Sequence, residues 1–210
     1  MLSVAIASDS LFTTDKNCSA WPYRSHWLRA GYEPFCMDDV FLRELVTSHC
    51  KHAPQKLIQY SDIGRLLILY ARGGWYVDSD VKPTPLSHML RSYPGTTFGL
   101  ESNFSLRNAK HLGMLPESLA LWTIYGVKGD ERLKDMACTM AHLSTEKKPG
   151  FEKLQRYIFR TSGPTAQKRL WTGRVLPIGV FGCGQAHSQS PRCSAPTCWG
   201  CHTFRGRWLK

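Results

Sequence analysis

Two carboxylates separated by one residue, Asp78-Ser79-Asp80, follow directly on the short run Trp75-Tyr76-Val77. An aromatic and β-branched run of that kind reads as a buried strand. The pair therefore stands at a strand's carboxyl end, where open α/β sheets bind ligands. Hard divalent cations such as Mg2+ and Mn2+ prefer carboxylate oxygen and often complete their shell with substrate phosphates. Such a pair could hold a metal ion that bridges a diphosphate; taken alone, an Asp-x-Asp is more commonly a solvated turn. Its surroundings sharpen the reading. Asp62 and Arg65 stand three apart and share a helix face, which by itself describes a surface ion pair. Their helix, however, leads through the Gly73-Gly74 stop straight into the Asp-x-Asp strand.

The whole string from Ser61 to Val81, SDIGRLLILYARGGWYVDSDV, resembles glycosyltransferase family 32, the DXD sugar-binding region family. That family includes fungal initiation-specific α-1,6-mannosyltransferases and sphingolipid mannosyltransferases. Its pattern is roughly A-D-x-x-R-Y-x-x-L-Y-x-x-G-G-x-Y-x-D-x-D. Asp62, Arg65, Leu69, Tyr70, Gly73, Gly74, Tyr76, Asp78 and Asp80 match in register, while Ser61 replaces the Ala and Leu66 the Tyr. Weaker similarities follow in the right order: Gly31-Tyr32-Glu33 with Asp38-Asp39, Phe98-Gly99-Leu100-Glu101, Leu121-Trp122-Thr123-Ile124 with Lys128-Gly129, Ser162-Gly163-Pro164, and a closing His202 to Trp208. The family's usual opening, I-P-K-x-I-H-Q-x-W, is not found. Met1 to Ala7 is either a divergent replacement or the mark of a truncation, and Arg207 stands where the family has Ser.

The resemblance implies a GT-A-like, Rossmann-like α/β fold with a mixed, largely parallel sheet flanked by helices. It implies transfer of a hexose with retention, most readily mannose from GDP-mannose, with UDP-glucose or UDP-galactose as other donors, to a glycan or glycolipid acceptor. The implied cofactor is Mn2+ or Mg2+, and the implied setting is the Golgi or another secretory lumen. By position, Asp78 and Asp80 would serve the metal and the donor, with Glu101 facing the acceptor as a further catalytic group. Asp62, Arg65, Tyr76 and Trp208 would bind the donor, and His202 would be a late metal or diphosphate ligand.

These groups need elements to hold them. Asp38-Asp39 followed by Val40, Phe41, Leu45 and Val46 predicts a capped amphipathic helix. Ile63, Leu66, Leu67 and Tyr70 predict a second, from about Ser61 or Asp62 to Arg72, ended by glycine. Val81 to Pro85 reads as a proline-stiffened exit loop. Met1 to Ala7, Thr96 to Leu100 and Val175 to Phe181 read as strands. Glu117 to Val127, Glu131 to Leu143 (capped by Asp130) and Phe151 to Arg160 read as helices, and Ala186 to Gly200 as loop. The alternation of strands and helices gives the α/β expectation independently of any resemblance. One domain is expected over 1–182, with a Cys-rich basic segment, 183–210, closing the active site.

The chain has 210 residues, 42% hydrophobic and 20% charged, enough for one domain with a real core. No stretch approaches the roughly 18 continuous apolar residues of a membrane span, so membrane association would need something other than an anchor in this sequence. Net charge is +11 and uneven: residues 1–145 hold 15 Lys/Arg and 14 Asp/Glu, whereas residues 146–210 hold 12 and 2. Such a block attracts anions. It raises a basic, non-enzymatic binding protein, or a degenerate family member, as alternatives, but no known nucleic-acid motif appears. Eight cysteines and the sequons at Asn17 and Asn103 fit an oxidising compartment. Cys198-Trp199-Gly200-Cys201-His202 matches the haem-attachment pattern. A zinc site from Cys193, Cys198, Cys201 and His202 fits the context better, and a disulfide among them better still.

Overall fold

A computed structural model describes residues 10–14, 18–84, 87, 95–100, 119–144, 174–176 and 200–202. Six strands form the main sheet in the order β2-β1-β3-β6-β5-β7. These are β1 (Ser10–Thr14), β2 (Glu33–Met37), β3 (Gly74–Val77), β5 (Thr97–Leu100), β6 (Leu119–Gly126) and β7 (Arg174–Leu176). Five of them run the same way. Only β6 is reversed, pairing antiparallel with both β3 and β5. Two further strands, β4 (Val81–Pro83) and β8 (Gly200–His202), make a small antiparallel ladder. This is the mixed, largely parallel α/β sheet expected for a GT-A-like fold.

Helices α1 (Arg24–Arg29), α2 (Asp39–His49), α3 (Leu57–Arg72) and α4 (Glu131–Ser144), with a short 3-10 turn at Cys18–Ala20, complete the described elements. Asp38 caps α2 as expected, its carboxylate accepting from the Phe41 N–H at 2.9 Å. Asp130 likewise accepts from the Arg132 N–H at the start of α4. One face of the sheet presents Phe12, Tyr76, Phe98 and Ile124 to α2, α3 and α4, which supply Leu42, Val46, Ile63, Leu66, Leu67, Leu133 and Ala137. The other face gathers an aromatic core of Trp21, Tyr23, Trp27, Tyr32, Trp75 and Trp122 around Leu11, Val77 and Val81. Full burial of each large side chain contributes about 2 kcal/mol of hydrophobic driving force.

Four expectations are corrected. Val81 to Pro85, read as an exit loop, begins instead as strand β4, because Val81–Pro83 finds an antiparallel partner in β8 that lies far along the chain. The segment read as a helix over Glu117 to Val127 is strand β6. Its aromatic and β-branched residues suit a pleat, and it is paired along both edges, with Ile124 opposite both Tyr76 and Phe98. Ile124 enters one core while Tyr125 packs against the other, the two-sided burial of a central strand. Helix α3 begins at Leu57, four residues before Ser61. The Gln59 side chain reaches back to accept from the Lys56 N–H at 2.9 Å and so satisfies a donor at the helix start. Gly200, read as the end of a loop, opens strand β8.

The strand expected over Met1 to Ala7, the helix over Phe151 to Arg160 and most of Ala186 to Gly200 lie outside the described residues. So does Val175 to Phe181 beyond β7. Among the described residues four cysteines form two disulfides, Cys18–Cys36 and Cys50–Cys138. The first ties the turn after β1 to β2; the second ties the end of α2 to α4. No helix among the described residues is long and apolar enough to cross a membrane.

Candidate functional site

Helix α3 is an unusual surface-to-core element because it is buried from Tyr60 to Leu69 almost without interruption. Its polar residues Ser61 and Arg65 are therefore inside, where a charge needs partners. Its C-terminus passes through Gly73 and Gly74, at φ +70° and +102°, conformations that residues with a Cβ rarely adopt. A Cβ at Gly74 would strike the carbonyl oxygen of Ser10, so the bare backbone is what lets β3 start hard against β1. The two strands then end side by side, with Leu11 opposite Trp75 and Phe12 opposite Tyr76.

At that shared carboxyl end α3 and the strands meet. Arg65 is 6% exposed. Its Nη2 donates to Asp62 Oδ1 at 2.7 Å, and its Nη1 lies 3.3 Å from Asp78 Oδ1. Its Nε donates to the Ser61 carbonyl at 3.3 Å, and its Cζ sits 4.8 Å from the Tyr76 ring centroid. The Tyr76 hydroxyl donates to Asp78 Oδ1 at 2.9 Å. One buried cation is thus clamped between two carboxylates from different elements, over an aromatic face.

Electrostatics follow the burial. Desolvation pushes the Asp62 carboxyl up to about 6, with Arg65 pulling it down and the Asp78 charge adding to the rise. Burial likewise holds the Tyr76 phenol well above its ordinary range, keeping it protonated as a donor.

The acidic turn is fixed from two sides. The Asp78 N–H donates to the Trp122 carbonyl, and the Val81 N–H donates to the Asp78 carbonyl, both at 2.9 Å. Ser79 is buried; Asp78 and Asp80 are each partly exposed. Val81, the residue after Asp80, pairs in register with His202 of β8, so the chain's late segment returns to the acidic turn at the backbone level. Glu101 follows β5 immediately but, like Trp208, lies outside the described residues.

Asp62, Arg65, Tyr76 and Asp78, 16 residues apart at their limits, are brought into one contact network, with Asp80 in the adjoining turn. Arg65 is taken up by protein partners and sets the two carboxylates. Three participants were not singled out from the sequence: Thr14, which bonds Tyr76 and Ser61; Ser61 as a polar group; and Trp27, which bonds the Val81 carbonyl. The run Leu11-Phe12-Thr13-Thr14 carried a strand signal that could have located the first.

Two carboxylates on a partly exposed turn supply hard oxygen donors suited to Mg2+ or Mn2+. Among the described residues no group of three or more His, Cys, Asp or Glu is placed to hold an ion. A cation here would take part of its shell from phosphate oxygens and water, as Mg2+ habitually does. The residues present therefore fit a metal shared with a diphosphate.

Residues 12–94 match the family described as glycosyltransferase sugar-binding region containing DXD motif. The matched segment runs from β1 through the acidic turn and contains Thr14, Ser61, Asp62, Arg65, Tyr76 and Asp78. It supports a glycosyl-transfer role, with a nucleotide-sugar donor and an acceptor. No curated protein matches the chain.

Proposed function

We propose that this chain is a metal-dependent, retaining glycosyltransferase of the family 32 type. It moves a hexose, mannose from GDP-mannose, to a glycan or lipid-linked acceptor. The observation that carries the proposal is the clamping of Arg65 between Asp62 and Asp78 at the shared end of β1 and β3, in a segment matched to a sugar-binding region.

Asp78 and Asp80 would hold the divalent cation, and His202, whose strand pairs with β4 just after the acidic turn, would contribute to metal or diphosphate binding. Bound there, the cation would neutralise charge developing on the departing nucleoside diphosphate. Asp62 faces the donor sugar, fixed by Arg65, and Tyr76 braces Asp78 from within the sheet. Glu101 serves the acceptor side, Trp208 closes over the donor, and the basic last third, residues 146–210, draws in the anionic donor. The mannose assignment is supported by the likeness at Trp122-Thr123-Ile124 and in the closing motif. The two disulfides support a secretory-pathway lumen such as the Golgi.

Calorimetry with Mn2+ and a panel of GDP- and UDP-sugars tests the proposal. The expected result is metal-dependent binding of GDP-mannose that is lost in Asp80→Asn. Binding of a UDP-sugar instead would overturn the mannose assignment alone. A folded protein that binds no donor would overturn the function.

A further inference from the structure

Behind the acidic turn lies a ring of four hydrogen bonds, closed by one ion pair, drawn from α3, β1 and the end of β3. Arg65 Nη2 lies 3.5 Å from Ser61 Oγ. Ser61 Oγ lies 2.6 Å from Thr14 Oγ1, and Thr14 Oγ1 lies 2.9 Å from the Tyr76 hydroxyl. The Tyr76 hydroxyl lies 2.9 Å from Asp78 Oδ1, which returns to Arg65 Nη1 at 3.3 Å. Thr14 is 2% exposed and Ser61 1%, so water does not compete for these groups.

Proton counting leaves the ring one direction. A guanidinium only donates, an ionised carboxylate only accepts, and each hydroxyl has a single proton. Tyr76 gives its proton to Asp78, so it must accept from Thr14. Thr14 has then used its proton and must accept from Ser61. Ser61 in turn accepts from Arg65. Each bond polarises the next, from the cation round to the carboxylate. Remove the Thr14 hydroxyl and two buried atoms lose partners at once: the Tyr76 oxygen loses its donor and the Ser61 proton loses its acceptor. An unmade buried hydrogen bond is costly, so Tyr76 and Ser61 would turn to seek other partners. Asp78, on a partly exposed turn, would lose the hydroxyl donor that, with Arg65, sets its carboxylate.

We infer that Thr14 and Ser61 are positioning residues for the metal-binding turn, acting on Asp78 through Tyr76. The inference rests on the metal reading proposed above, but the ring itself can be tested without metal. Partners that orient a metal's ligands typically change its affinity by about 10–100-fold when removed.

The experiment uses the full chain as wild type, Thr14→Val, Thr14→Ser, Tyr76→Phe and the double variant Thr14→Val/Tyr76→Phe. Thermal unfolding without metal is read first. Mn2+ alone is then titrated and followed by the electron paramagnetic resonance of the free ion. In the unfolding series the double variant is expected to lose less Tm than the two single losses added together, because each single change strands the other's hydroxyl. In the titration Thr14→Val is expected to bind Mn2+ about 10–100-fold more weakly, with Thr14→Ser restoring most of the affinity. Additive Tm losses would overturn the ring. Non-additive losses with unchanged Mn2+ affinity in Thr14→Val would overturn the positioning role. Non-additive losses in a series whose wild type binds no Mn2+ would overturn the metal reading, and the positioning role with it.

Discussion

Trp27 donates its indole Nε1–H to the carbonyl oxygen of Val81 across 3.1 Å, although the two residues are 54 apart in the chain. Val81 is thereby held through both of its flanking peptide groups, since its N–H is already given to the Asp78 carbonyl. Both residues are buried in the aromatic core on the far side of the sheet. The acidic turn thus stands on that core, and a change there should be felt at Asp78 and Asp80. Trp27→Phe keeps an aromatic ring but strands the Val81 carbonyl and leaves a small void. A loss of about 2–3 kcal/mol in stability is expected, with Mn2+ affinity reduced about tenfold. Denaturant unfolding and a Mn2+ titration check both; lost stability with unaltered Mn2+ affinity would separate the turn from its support.

What could be read from the sequence was what is local. The Gly73-Gly74 stop, the buried run before Asp78 and the Asp38 and Asp130 caps are each decided within a few residues, and the fold reproduces them. The (i, i+3) pairing of Asp62 with Arg65 is equally local. Strand β6 was misread because short apolar runs do not distinguish helix from strand by periodicity; its identity comes from two neighbours, β3 and β5, that the sequence does not show to be adjacent. The start of α3 was missed because a lysine occupies the cap position and the helix is secured instead by Gln59 reaching back. The support of the site was illegible for a related reason. Thr14 meets Ser61 across 47 residues and Tyr76 across 62, and nothing about a threonine in a strand announces such partners.

The close approach of β3 to β1 gives a second expectation. Gly74→Ala places a Cβ against the Ser10 carbonyl at φ +102°, where both strain and a backbone clash oppose it. A loss of about 2–4 kcal/mol is expected, together with loss of donor binding as the strand ends separate. Gly64→Ala is the control. Its Cβ would overlap the tip of the buried Leu42 side chain, which unlike a backbone carbonyl can turn aside at some overpacking cost, and a helix interior favours Ala by about 1 kcal/mol in partial compensation. The pair should therefore differ clearly in urea unfolding, and equal effects would show that β1 and β3 do not depend on the bare backbone.

The two disulfides should differ in weight. Cys50–Cys138 closes a span of 88 residues and Cys18–Cys36 one of 18. On the chain-entropy account, loops of those sizes stabilise by about 4–5 and about 3 kcal/mol respectively. Cys50→Ala/Cys138→Ala should therefore lower Tm more than Cys18→Ala/Cys36→Ala. The reverse order would mean that contacts around each bond, rather than loop closure, set its contribution.

Asp62 supplies a pH dependence whose sign can be stated in advance. Its carboxyl is raised from 3.8 to about 6 in the folded chain, chiefly by burial. Between those values the folded protein binds more protons than the unfolded one, so stability must fall as pH rises. The contribution is fully present below about pH 4 and is lost once pH passes the folded value near 6. A shift of that size corresponds to at most about 3 kcal/mol. Asp62→Asn removes the titration. It also removes a partner of Arg65, but the guanidinium stays charged throughout this range and that loss is a constant offset. The slope is therefore what identifies the group. Unfolding free energies measured from pH 4 to pH 7 should show the wild type declining relative to Asp62→Asn, most steeply between pH 4 and 6. A flat or rising difference would mean that Arg65 holds the Asp62 carboxylate more strongly than burial opposes it.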